Sequence, residues 1–103
     1  MTVRQELEKR LREIPGVELG PSRYGHGASY FTGSREIAHF HGETRMDVRL
    51  TKEEIRLRKE EGTLDQRLRT RGPSAEWVEV HVHTESDIPF LIALVEDAVR
   101  ANS

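Results

Sequence analysis

The sequence has no cysteine. Disulfides and thiolate metal ligation are therefore excluded, and only histidine and carboxylate could hold a metal. It also lacks any apolar run near the about 20 residues of a membrane-spanning helix. Neither charge is in excess: 16 Lys+Arg are intermixed with 18 Asp+Glu, for a formal net charge of -2. Non-specific nucleic-acid binding needs a basic excess, which is missing here. Hydrophobic residues make up 35% and charged residues 33%, so the core is thin and much of the chain is solvated surface. A chain of 103 residues reads as a single domain, 1–103. Met1–Arg12 alternates charge without an apolar stretch and does not read as a signal peptide. The expectation is a soluble cytoplasmic protein with no nucleic-acid or membrane partner.

What the chain does have is periodicity. Val3, Leu7, Leu11 and Ile14 recur at helical spacing. Thr2 can cap that helix, and Pro15-Gly16 ends it. Val17 and Leu19 read as a short strand, and Tyr24–Thr32 as another, broken by Gly25 and Gly27. Gly33-Ser34 is a tight turn before a strand at Arg35–His41, and Gly42–Thr44 is the next turn. Arg45–Leu50 alternates, with Met46, Val48 and Leu50 on one face and Arg45, Asp47 and Arg49 on the other. Thr51 and Glu54 fit a capping box for a helix from Lys52 to about Glu61, stopped by Gly62, with Ile55 and Leu57 as its apolar face. Thr63–Pro73 is ambiguous. Leu64 and Leu68 allow one helical turn, whereas Arg67, Arg69 and Arg71 alternate as an extended edge would.

Gly72-Pro73-Ser74 is a turn, and Trp77–His83 is a second alternating strand with Val78, Val80 and Val82 inward. The last helix carries Ile88, Leu91, Ile92, Val95 and Val99, with Ser86 as cap and Pro89 in the first turn. The order is α-β-β-β-β-α-β-α. It predicts an α+β fold: an antiparallel-type sheet of four to five strands with three helices on one face.

With the helices on one face, polar residues collect on the other. Residues two apart on a strand share a face, roughly 6.5–7 Å apart. Phe40 and Ala38 fit the core side, which sends His39 and His41 outward and leaves Ile37 awkwardly placed. Three uses of this face follow. His39 or His41 beside Asp47 and Arg49 could move a proton or hold an anion of a small organic ligand, with Tyr24, Tyr30 and Trp77 as an apolar wall and His81 nearby. The bland counterpart is a surface ion network of Asp47 with Arg45 or Arg49. The pairs His39/His41 and His81/His83, with Asp47 or Glu79, could hold a metal; the bland counterpart is solvated strand positions. A face bearing Trp77 could instead be a non-catalytic interaction surface, such as a homodimer interface.

No cofactor motif is read. Gly25-His26-Gly27 is not followed by Gly-Lys-Ser/Thr, and Ser22, Ser29 and Ser34 have no nucleophile-elbow context. Asp65 and Glu76 flank the three arginines at 67, 69 and 71, which then read as a solvated edge.

Arg35-Glu36-Ile37-Ala38-His39-Phe40-His41-Gly42, followed by Asp47-Val48-Arg49-Leu50-Thr51 and Trp77-Val78, resembles the luciferase-like domain family. These are small bacterial and archaeal proteins named by similarity to the fungal luciferase. The resemblance runs from Pro15-Gly16-Val17 to the last helix with its Asp87, and Ala-His-Phe-His-Gly with Asp-Val-Arg-Leu is its most specific part. Most members have no known function. The fungal enzyme oxidises a polyphenolic pyrone with oxygen and no known cofactor. The resemblance implies His39, His41, Asp47 and Arg49 as the positions for any such activity.

Overall fold

A computed structural model describes residues 1–23, 25, 27–72 and 74–103. Tyr24, one of the residues expected to wall a site, lies outside the described residues, as do His26 between the two glycines and Pro73 of the expected Gly72-Pro73-Ser74 turn. The elements are α1 (Val3–Arg12), β1 (Glu18–Pro21), β2 (Ala28–Thr32), β3 (Arg35–His41), β4 (Arg45–Arg49), α2 (Lys52–Glu61), β5 (Trp77–His81) and α3 (Ile88–Ala101), which a short 3-10 turn at Glu85–Asp87 precedes. The five strands form one antiparallel sheet in chain order, β1-β2-β3-β4-β5. Among the described residues, no helix is long and apolar enough to cross a membrane.

Local chemistry accounts for most boundaries. Thr2 Oγ1 accepts the Gln5 amide while Gln5 Oε1 accepts the Thr2 amide, which closes the start of α1. Gly33 supplies the positive φ of the two-residue turn between β2 and β3, the kind that matches strand twist. Gly62 ends α2 in the left-handed region.

Two expected caps differ. Thr51 Oγ1 does accept the Glu54 amide, but the reciprocal half of the box is not made. The Thr51 amide donates to Glu76 O at 3.0 Å, and Glu54 turns to Arg58. Asp87 rather than Ser86 stands at the N-cap of α3, but its side chain makes no cap bond to that helix; its carboxylate accepts the amides of His83 and Thr84 instead. Leu57 faces solvent, so Ile55 alone buries the apolar side of α2. The ambiguous stretch after α2 is a turn at Asp65–Leu68, followed by a single extended rung in which Arg69 exchanges both backbone bonds with Glu79.

Met46, Val48 and Leu50, with Val78, Val80 and Val82, form the sheet's core side. Leu7 and Leu11 of α1, Ile55 of α2 and Leu91, Val95 and Ala98 of α3 join the same cluster. Helices α1 and α3 pack on each other, and α3 packs on β3 and β4. An ion pair from Arg58 Nη2 to Asp97 at 2.8 Å ties α2 to α3.

The register of β3 resolves the awkward residue. Ala38 lies opposite Val48 and Phe40 opposite Met46, so both belong to the core side. On the other edge of β3, Tyr30 faces Ala38 but Phe31 faces Glu36. One residue of β3 is therefore extra, and that residue is Ile37. Such a bulge shifts the alternation by one. It lets Ile37 join the core, where it is fully buried, and turns Glu36 onto the face that carries His39.

Candidate functional site

Strand pairing puts His39 opposite Asp47, and Asp47 opposite Glu79, on the face away from the hydrophobic core. That face is not bare. Ser29, Glu36, His39 and Asp47 are all buried on it. The loop after β1 closes one end: Ser22 Oγ and the Arg23 amide donate to Glu36 at 2.9 and 2.7 Å. The chain that returns from α2 closes the other end through the Arg69–Glu79 rung. Between them lies a cleft of about 520 Å³, lined by His39, His41, Arg45, Asp47, Arg71, Ser74, Ala75, Glu76, Trp77 and Glu79.

At its floor is an imidazole between two carboxylates. His39 Nδ1 lies 2.9 Å from Glu36 Oε2, and Nε2 lies 3.1 Å from Asp47 Oδ2. Its ring packs on Trp77 at 4.9 Å between centroids. Arg45 continues the chain of charges, with Nε on Asp47 Oδ1 and Nη2 on Glu79 Oε1, each at 3.1 Å. Arg71 Nε closes on Glu79 Oε1 at 2.6 Å at the rim. Asp47 and Glu79 would repel as directly opposed carboxylates; Arg45, two residues from Asp47 on the same face, spans them.

These contacts set the ionisation of the acids. Burial pushes the Asp47 carboxyl up, but hydrogen bonds from His39 and Arg45 and the Arg45 charge outweigh it and hold the group at about 2. Burial likewise raises Glu36. The Arg23 amide, Ser22, Ser29 and His39 overcome it and leave Glu36 below the ordinary carboxylate range. Both acids are therefore carboxylates near neutral pH.

Of the residues expected at a site, His39, His41, Asp47 and Trp77 line this one cleft. Arg49 does not. It lies on the same face, but Nη2 pairs with Glu76 at 3.2 Å. Tyr30 is in the core instead, because its register partner Ala38 faces the helices; its ring meets Phe40 edge-on. His81 is exposed outside the cleft and stacks parallel to His83 at 5.7 Å.

Among the described residues, no group of three or more His, Asp or Glu side chains could hold a metal ion. Both ring nitrogens of His39 are taken by carboxylates, and His81 and His83 face each other.

Residues 34–98 match the family model of the luciferase domain. The chain belongs to that family. No curated protein and no solved structure matches it significantly. The stretch that matches this luciferase-domain model begins at the turn before β3, so it contains every residue that lines the cleft.

Sequence reasoning missed Glu36 and Arg71. Simple alternation puts Glu36 on the core side; the only signal of a bulge was the misplaced Ile37. Arg71 lay in the stretch whose conformation periodicity left open.

Proposed function

We propose that this luciferase-domain protein binds, and acts by proton transfer on, a small organic ligand seated in the cleft over His39. One observation carries the reading. Three strands and the returning chain bring a planar ring, a cationic rim and a buried acid–imidazole pair to one cavity. Trp77 and Ala75 offer an apolar wall for a flat molecule. Arg71 uses its Nε on Glu79 and is three-quarters exposed, so its remaining N–H groups suit an oxygen of the ligand. Catalysis rests on His39, Asp47 and His41, the three cleft residues that the resemblance implies. Arg49 acts from behind by holding Glu76.

Trp77 is the only tryptophan, so its fluorescence reports on the cleft directly. para-Nitrobenzoate, a flat carboxylate that quenches indole, is the probe. Saturable quenching that benzoate competes away and that His41→Ala with Arg71→Ala abolishes is the expected result. Quenching that stays linear to millimolar probe, or is the same in the double variant, overturns the reading.

A further inference from the structure

We infer that Glu36 is the positioning residue of this site: by taking one ring nitrogen of His39 it commits the other to Asp47 and makes the ring a fixed double donor. The inference rests on reading the cleft as the ligand site, but its geometry stands apart from any ligand. Glu36 does not line the cleft. It is only 2% exposed; Ser22 donates to the oxygen that also takes His39, and the Arg23 amide donates to the other.

A carboxylate can only accept. Glu36 Oε2 at 2.9 Å from Nδ1 therefore calls for a proton on Nδ1. Asp47 Oδ2 at 3.1 Å from Nε2 calls for one on Nε2. A neutral ring satisfies one of the two carboxylates and turns a lone pair towards the other; the doubly protonated ring satisfies both. The charged groups about this ring include Glu36 on its own strand, Asp47, Arg45 and Glu79 on the neighbouring strands, and Arg71 at the rim. Arg45 and Arg71 together balance Asp47 and Glu79, so Glu36 is the charge that His39 answers.

The chemistry of the cleft changes accordingly. With both N–H groups on carboxylates, His39 meets a ligand as a cation and not as a base, and the proton moved in the cleft falls to His41. A group seated over it is an anion, such as a carboxylate, drawn by charge rather than by a hydrogen bond from the ring. The bulge at Ile37 makes this arrangement, since without it Glu36 would face the helices.

The test uses the full chain with isotope-labelled histidine, and proton–nitrogen spectra of the rings near neutral pH. In the unmodified protein both His39 nitrogens are expected to carry protons. In Glu36→Gln one of them becomes a bare acceptor, and Glu36→Asp restores the original pattern in part. A neutral His39 ring in the unmodified protein overturns the inference and needs no variant to fold. An unchanged ring in a folded Glu36→Gln protein overturns it as well. The nitrobenzoate titration separates the two readings. An intact ring pattern without probe binding removes the ligand site and leaves Glu36 in its role; binding with a neutral ring does the reverse.

Discussion

Glu36 and His39 lie three residues apart on one strand, yet their side chains bond at 2.9 Å on a single face. Strict alternation sends such a pair to opposite faces. The extra residue between them, Ile37, makes up the difference.

Ile37 therefore belongs to the core, and truncating it should be costly. Ile37→Ala is expected to lose about 2–5 kcal/mol, the usual range for a fully buried aliphatic side chain. Urea unfolding measures this. A loss near zero would place Ile37 on the polar face and undo the bulge.

Acid should weaken the fold through Asp47 and Glu36. A carboxyl held low in the folded chain binds its proton at lower pH there than when unfolded. Its stabilisation is complete above the ordinary value and fades as pH falls through the folded one. For Asp47 the window runs from 3.8 down to about 2. The stake is on the order of 2 kcal/mol. Asp47→Asn should flatten the acid limb of a stability–pH curve over that window. An unchanged slope counts against the network.

Thr51 has φ 78 and ψ 151, a region that essentially only glycine occupies comfortably. It is the one non-glycine with positive φ among the described residues. Two substitutions should move stability in opposite directions. Thr51→Gly removes strain of about 1–3 kcal/mol and loses only a few tenths of a kcal/mol of cap, so the melting temperature rises. Thr51→Ala keeps the strain and loses about 1 kcal/mol of cap, so it falls. Two shifts of the same sign would refute the assignment.

Helix α2 is held thinly. It buries Ile55 alone and leans on Arg58, which bridges Glu54 and Asp97 at 2.9 and 2.8 Å. Asp97→Ala should cost about 1 kcal/mol or less and raise amide exchange in α2 ahead of α1 and α3. High salt should shrink the difference. Uniform exchange across all three helices would mean that α2 is anchored by something else.

Much of this was readable from the chain. Arg35–His41 as a strand, the alternation at 45–50, and the helices bounded by Thr2, Thr51 and Gly62 follow from period, caps and breakers, which are local signals. So does the shared face of His39, Asp47 and Trp77. What escaped depends on distant pairing. Glu36 changes face through a bulge that only the partner strand reveals. The glycines before Tyr30 hide its register, so its sequence reads as a wall of the site, whereas the sheet puts it in the core. Arg71 reaches the cleft only because Arg69 finds Glu79 across the sheet edge, a contact that no period encodes.

The order of the sheet bears on how the molecule assembles. Neighbouring strands up to β4 are joined by short connections, so they can zip together early at little entropic cost. β4 and β5 are separated by the whole excursion through α2 and the stretch after it. Closing that long loop is the dearest step in chain entropy. Trp77 and Glu79 arrive with β5, whereas His39 and Asp47 stand ready on the earlier hairpin. An intermediate with that hairpin formed and β5 undocked would hold half the cavity, so the ability to bind should return only with the slowest refolding phase.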